Sequence, residues 1–243
     1  MDLKNKKEFL HKNGYCDFEI KNFKEEFYYI LEKIKFKKDD IKYLEGFKRL
    51  RFDYHSTKER IQTSDEYESH EECNDKKFEF IKKYDETGIA QIWQMKDVTF
   101  PDEKYTKEIH NIFYEILNYF YGKTVNDVNM GIQWTLYSEG CFLKDHNDGQ
   151  GEEYQNTCAI LIYLNDEWKE EWGGNLILRN TKNVYDEDKK TIYKVIPEFG
   201  KVAIIDLEVF DTAHAVEKII GQHNRCTILA FATSKERKEK YII

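Results

Sequence analysis

Hydrophobic and polar positions repeat with two different periods along this 243-residue chain, and the period changes near Gly122. Before that point the clearer segments have helical spacing. Phe23, Phe27, Ile30, Leu31 and Ile34 share one face of a 3.6-residue period, and Asn22 followed by Glu25 has capping-box spacing. A second helix is predicted after Pro101, which suits a first helical turn. Asp102 and Glu103 suit the positive end of its dipole, and Gly122 suits its stop. Its stripe of Tyr105, Ile109, Ile112, Phe113, Ile116, Leu117 and Phe120 reads as a helix laid on a sheet rather than as a cofactor box. Between them, residues 53–88 are dense in charge and thin in apolar side chains. This stretch is expected to be a solvated excursion or flap, with His55, His70 and Cys73 scattered through it and its histidines at the surface.

After Gly122, short β-branched and aromatic runs alternate with Gly, Asn, Asp or Pro clusters. Strands are predicted at 131–138, 142–148, 157–164, 175–179, 191–196, 201–206, 213–217 and 225–233. Eight short strands suit a jelly roll, in which two sheets each bury one face. The fold class expected is mainly β with flanking helices: a double-stranded β-helix core over 122–233, behind a helical N-terminal half. Residues 1–121 would act as support and as the substrate-selecting region, and 234–243 would be a charged tail. The sequence shows no internal repeat, low-complexity tract or linker, so one domain is expected.

Composition narrows the function. Apolar residues are 40% of the chain and aromatics 15%, which is enough to build a core. The 46 acidic residues against 38 Lys and Arg give a net charge of -8, which argues against nucleic acid and anionic membrane as partners. The longest apolar run, 158–164, is far short of the roughly 20 residues that span a bilayer. The first residues carry no apolar signal core, so secretion is not expected. Five widely spaced cysteines without a C-x-x-C pair suggest reduced thiols and a cytoplasmic protein rather than a disulfide framework or zinc site.

The most informative fragment is Asp145-His146-Asn147-Asp148-Gly149. In an extended strand His146 and Asp148 share a face, so an imidazole nitrogen and a carboxylate oxygen can meet one ion. Alone, such a pair before a Gly-rich turn is more often an ordinary strand end. His214 changes the weighting, because four intervening strands would let it return to the same mouth of the barrel. Two imidazoles and one carboxylate leave three adjacent positions open on an octahedral metal, the facial triad of non-haem Fe(II) oxygenases. Such a site is net positive and favours an anionic co-substrate. Arg225, opening the last predicted strand, could grip a carboxylate with two parallel hydrogen bonds.

Taken in order, these residues resemble the Fe(II)/2-oxoglutarate-dependent oxygenases, in their prolyl 4-hydroxylase-like branch, over about 134–232. The resemblance is carried by Tyr137, the Phe142-Leu143-Lys144-Asp145-His146-Asn147-Asp148 run and Ile162-Tyr163-Leu164-Asn165-Asp166-Glu167-Trp168. It continues through Trp172-Gly173-Gly174-Asn175-Leu176, residues 197–206, His214-Ala215-Val216 and Arg225. It implies His146, Asp148 and His214 as iron ligands. It also implies Arg225 and Tyr163 as partners of the distal carboxylate of 2-oxoglutarate, with Tyr137 near co-substrate or substrate. Gly173 and Gly174 are expected to serve the backbone, and Trp168 and Trp172 to cover a sheet end.

The resemblance further implies Fe(II), 2-oxoglutarate as co-substrate and molecular oxygen, with ascorbate as an optional addition. Asp148 favours hydroxylation over halogenation, since related halogenases carry a small residue there to admit chloride. The expected substrate is a prolyl residue of a peptide or protein, with a free amino acid or other small molecule as the alternative. A jelly-roll binding module is the rival from outside enzymes, and a nucleic-acid demethylase is disfavoured by the acid excess. Substrate choice is expected to rest on the N-terminal half and on the loop at 149–156.

Overall fold

The computed structural model describes residues 2–35, 44–55, 60–84, 89–96, 103–148 and 154–237. The chain begins with α1 (Leu3–Asn13), capped by Asp2, whose carboxylate accepts from the Asn5 backbone N–H at 2.8 Å, and then β1 (Tyr15–Glu19). α2 (Ile20–Phe23) and α3 (Glu25–Lys33) follow. The expected capping box is not formed: Asn22 lies inside α2, and α3 starts from an extended Lys24 with no side-chain cap. The break lets Ile20, on the first short helix, and Phe27, Leu31 and Ile34 beyond it all reach the core, so tertiary burial overrides the local signal.

Residues 53–88 depart from the expected excursion. They contribute to a hairpin of β2 (Arg49–His55) and β3 (Arg60–Glu66) and then to α4 (His70–Tyr84). The reason is a period-two pattern written in charged residues. Leu50, Phe52 and Tyr54 are buried on one face of β2, while Arg49, Arg51 and Asp53 take the other. The apolar face meets α4, where Phe80 stacks on Phe52 at 4.3 Å and Tyr84 packs on Tyr54 at 4.7 Å. Cys73 is fully buried in the same cluster. His70 is half-buried, and burial lowers its pKa. The His55 side chain and residues 85–88 lie outside the described residues.

β4 (Ile89–Lys96) and α5 (Glu103–Tyr121) complete this half. Pro101 and Asp102 lie outside the described residues. The predicted stripe of α5 is buried from Ile109 to Phe120, and Gly122 closes the helix with φ 67° and an N–H to Asn118. The predicted helices therefore flank the core as expected, and four strands accompany them.

All eight predicted strands after Gly122 form: β5 (Val128–Tyr137), β6 (Leu143–His146), β7 (Tyr154–Tyr163), β8 (Leu176–Arg179), β9 (Thr191–Val195), β10 (Lys201–Asp206), β11 (His214–Val216) and β12 (Arg225–Arg237). β12 runs into the segment expected to be a tail, and residues 238–243 lie outside the described residues. The strands make an antiparallel sheet ordered β1-β10-β7-β12-β5-β4-β2-β3 and a second ordered β6-β11-β8-β9. From β5 to β12 the chain passes between the two sheets in the order of a double-stranded β-helix, a jelly roll.

Alternation along the large sheet sorts its faces. Trp134, Leu136, Ile160, Ile162, Ile204 and Ile228 pack under α1, α3 and α5, while Thr135, Leu161, Ile205, Thr227 and Leu229 face the gap between the sheets. Among the described residues, no helix is long and apolar enough to cross a membrane.

α4 is pinned to the core by a buried amine. Lys77, 1% exposed, donates to Ser138 Oγ at 2.7 Å at the end of β5, and burial holds its pKa below the ordinary 10.5. Between the folded value and 10.5 the unfolded chain binds the additional proton, so this lysine's contribution to stability rises with pH there. In urea unfolding, the stability of the wild type relative to Lys77→Met should improve as the pH is raised from about 7 toward the lysine range near 10.4. Parallel pH profiles for the two proteins would contradict this account.

Candidate active site

β6 and β11 are neighbours in the small sheet, and their register sets His146 directly opposite His214. The two rings lie 4.2 Å apart between centroids, and Asp148 follows β6 by two residues. One ligand atom from each of His146, Asp148 and His214 lies within 4.8 Å of the others. Asp148 Oδ2 is 3.2 Å from His214 Nε2 and 3.7 Å from His146 Nε2. The structure thus brings together the three residues expected to hold iron.

The orientation of both rings is set from behind. His146 Nδ1 is 2.7 Å from the Lys144 carbonyl and His214 Nδ1 is 2.9 Å from the Thr212 carbonyl. A carbonyl only accepts, so each Nδ1 carries the proton and each Nε2 is turned toward Asp148. Burial pushes the Asp148 carboxyl up, but hydrogen bonding and charge from both imidazoles outweigh it and hold the group far below the usual carboxylate range. Burial likewise lowers His146, and contact with Asp148 reverses the effect, so its pKa is raised. A divalent cation would take the place of the protons that this cluster otherwise shares.

The loops carrying the ligands are tied to each other. Asn147 Nδ2 donates to the Asp211 carbonyl at 2.7 Å, one residue before Thr212, and Asn156 Nδ2 donates to the Asp148 carbonyl at 2.6 Å. Behind β6, Asp145 accepts from Arg179 Nε at 2.6 Å, and Arg179 Nη1 reaches Thr191 Oγ1 at 2.6 Å. This fork joins three strands of the small sheet beside His146.

Arg225 enters the same cavity from β12. It is 1% exposed, and its guanidinium carbon lies 5.0 Å from the ring centroids of both Tyr137 and Tyr163. Nε and Nη2 of Arg225 and the Tyr163 hydroxyl are buried with no hydrogen-bond partner among the described residues. Burial raises the pKa of both tyrosines, with the Arg225 charge opposing it, so the phenols stay neutral. Buried donors of this strength are costly unless matched, and a carboxylate is the group that matches a guanidinium fork.

The expected glycines and tryptophans take structural places. Gly174 has φ 67°, and a Cβ there would lie 2.3 Å from Ile219 Cδ1 and 3.1 Å from Arg225 Cδ. Only glycine lets the chain pass this close to Arg225. Trp168 donates from Nε1 to the Gly173 carbonyl at 2.9 Å, and Trp172 stacks on His223 at 3.7 Å. Asn165 has a role that the motif alone did not reveal. Its amide bridges the Pro197 carbonyl and the Cys226 N–H, fixing the start of β12 next to Arg225.

The triad and Arg225 open into one cavity of about 290 Å³, which is also lined by Tyr137, Thr227 and Arg51. Sequence reading missed the last two. Thr227 could have been found from the alternation Arg225, Thr227, Leu229, Phe231 along β12, and Arg51 from the alternation in β2. Residues 149–153, in the loop expected to influence substrate choice, lie outside the described residues.

Residues 132–232 match the 2OG-Fe(II) oxygenase superfamily. Its cofactors are Fe(II) and 2-oxoglutarate, and the donor set of two imidazoles, one carboxylate and an unmatched buried guanidinium fits both. Solved structures place the fold more narrowly. The chain is similar to a prolyl-4-hydroxylase from Pseudomonas putida, with 12% identity over 95% of this chain and 98% of that one and a TM-score of 0.55. It is similar to a prolyl hydroxylase from Trichoplax adhaerens in complex with a peptide fragment of the hypoxia inducible factor oxygen degradation domain, with 15% identity, 96% and 90% coverage and a TM-score of 0.58. A third is a 2OG-Fe(II) oxygenase-family oxidoreductase from Burkholderia pseudomallei, with 12% identity, 98% and 92% coverage and a TM-score of 0.54. At these identities the likeness is one of fold. No curated protein matches the chain by sequence.

The fork behind His146 generates a prediction. Arg179→Met should weaken Fe(II) affinity about tenfold while leaving the protein folded, as loss of a group that orients a ligand strand does. Metal titration of the folded variant checks this, and unchanged affinity would remove Arg179 from the supporting shell.

Proposed function

We propose that this protein hydroxylates an unactivated C–H bond, that of a prolyl residue in a peptide or protein. The observation that carries the reading is the convergence of three ligand atoms and the Arg225 guanidinium on one cavity within a jelly roll of this superfamily. Two fold neighbours named as prolyl hydroxylases, one of them solved with a peptide, support the choice of substrate. A free amino acid or other small molecule is the second reading, favoured by a cavity of only about 290 Å³.

In this reading His146, Asp148 and His214 hold the metal. Arg225 and the Tyr163 hydroxyl fix the distal carboxylate of 2-oxoglutarate, and Tyr137 walls the same compartment beside Arg225. Held there, Fe(II) with 2-oxoglutarate and oxygen would supply the oxidation of C–H to C–OH, coupled to release of succinate and CO2. The chain's own contribution is placement: it orients two imidazoles through backbone carbonyls, neutralises an anion with a buried guanidinium and excludes water between two sheets. Residues 122–233 form the catalytic part, and 1–121 support it and select the substrate. A cytoplasmic location accompanies the reading, supported by five cysteines that are all buried and form no disulfide. Ascorbate would act as an accessory rather than as a bound group.

Anaerobic titration of the metal-free protein with Fe(II) and 2-oxoglutarate should develop the visible charge-transfer band of a chelated keto acid. The band should vanish in His146→Ala and Asp148→Ala. A protein that forms no band, or forms it without these residues, is not an oxygenase of this kind. Arg225→Ala should raise the 2-oxoglutarate concentration needed for the band by about 100-fold, the scale of a lost charge-assisted pair of roughly 3 kcal/mol. Unchanged affinity would release Arg225 from this role. Succinate release with prolyl peptides and with free proline then separates the two substrate readings.

A further inference from the structure

The wall that the large sheet gives the cavity changes in character row by row. On β5 and β12 the rows pair Tyr137 with Arg225, then Thr135 with Thr227, then Gln133 with Leu229, then Gly131 with Phe231. β7 adds Tyr163 to the second row, Leu161 to the third and Ala159 to the fourth. Residues two apart on a strand share a face, so these rows all look into the gap between the sheets. Both arginines of the wall stand at the first row. Arg225 belongs to it directly, and Arg51 pairs with Trp93 on β4, one step from the pair of Gln94 with Leu136 and so level with Tyr137. The chain at Asp148 is held at the opposite end. Its carbonyl accepts from Asn156 Nδ2, and Asn156 pairs with Thr233, two residues past Phe231 on β12.

Gln133 is the polar side chain of the third row. It is half-buried and lines the cavity, and its carboxamide has no hydrogen-bond partner among the described residues. Four residues of β5 separate it from Tyr137, about 13 Å along the strand. A five-carbon diacid gripped at Arg225 spans only about 7 Å, so Gln133 lies beyond the reach of the co-substrate. Its surroundings are apolar: Leu161 and Leu229 in its own row, Ala159 and Phe231 in the next, and Ile205 across from Ala159 on β10. No lysine or arginine lines these two rows among the described residues. A carboxylate brought there would be desolvated beside Asp148 without a cation from the wall, whereas a neutral amide needs only hydrogen bonds.

We propose that Gln133 is a specificity-determining residue that recognises a neutral peptide amide of the primary substrate. The inference rests on the oxygenase reading above and deepens it: the group beside the reacting C–H bond is an internal peptide bond rather than a free carboxylate. A carboxamide carries one carbonyl acceptor and two N–H donors, which are the complement of a peptide bond's N–H and C=O. The Gln133 oxygen accepts from the substrate N–H and its Nε2 donates to a substrate carbonyl, while Leu161, Leu229 and Phe231 cover the apolar part of the same residue. A site built to hydrogen-bond an N–H rejects an analogue that lacks it, because the site's own acceptor is then left facing another acceptor.

The test compares matched amides and esters on protein loaded anaerobically with Fe(II) and 2-oxoglutarate. The probes are a small set of acetylated, amidated tripeptides with proline at the centre, and the same set with an ester in place of the peptide bond that follows proline, which removes one N–H. Free L-proline is the third probe. Binding is read from perturbation of the charge-transfer band, and turnover from succinate release after oxygen is admitted. In the wild type at least one amide should act at concentrations about tenfold below its ester, the scale of one lost hydrogen bond in a buried site. Gln133→Leu and Gln133→Met should raise the concentration of that amide needed by about tenfold and bring it level with the ester, with the 2-oxoglutarate titration unchanged. Amide and ester acting alike in the wild type overturns the proposal, as does a preference that survives in both variants. Free proline acting where no peptide does, or no probe acting at all, also overturns it. Loss of the 2-oxoglutarate band in both variants overturns it as well, by assigning Gln133 to the co-substrate or to the fold. A wild-type protein without any band instead overturns the oxygenase reading on which the proposal rests.

Discussion

Two antiparallel sheets packed face to face leave a gap that apolar side chains normally close. Here the gap is shared between an apolar part, built around Leu161, Leu176 and Ile205, and a polar part where His146 pairs with His214 across two strands. The cross-strand pair is the constraint on which the rest depends. It fixes the spacing of two imidazoles through backbone register rather than through side-chain flexibility, and Asp148 then needs only to follow β6 by two residues to complete the cluster. The backbone carbonyls behind each ring, the Asn147 link between ligand loops and the Arg179 fork all serve to keep that register.

The large sheet has an asymmetric task. One face carries a continuous apolar layer under α1, α3 and α5, with Trp134, Phe113 and Phe120 fully buried. The other face carries the chemistry, with Arg225 and Thr227 among the buried polar residues. Each strand of the sheet therefore reads in two registers at once. Helical packing on the first face supplies the burial that lets the second keep unmatched donors in a buried space.

Much of this was legible in the sequence, for identifiable reasons. The jelly-roll strands announced themselves because short β-branched runs were separated by turn residues, and every one of the eight formed within a few residues of its expected limits. The triad and Arg225 were legible because their order along the chain carries information that no single residue does. Residues 53–88 were misread because their apolar residues are sparse. Alternation, not density, marks a strand with one exposed face, and Leu50, Phe52 and Tyr54 supply that alternation among charges. Arg51, just before that stretch, was hidden because no strand was expected at 49–55, so no cavity face could be assigned to it. The Asn22 cap failed for a different reason: burial of Ile20 and Phe27 on either side of Lys24 outweighed a capping preference worth about 1 kcal/mol.

The position of β12 has a consequence for synthesis. This strand follows every other described element in the chain, yet it lies between β5 and β7 near the centre of the large sheet. Until it emerges from the ribosome, β5 and β7 expose long unpaired edges, and the buried Arg225 guanidinium is absent from the cavity. The nascent chain must be protected from edge-to-edge association until β12 closes the sheet.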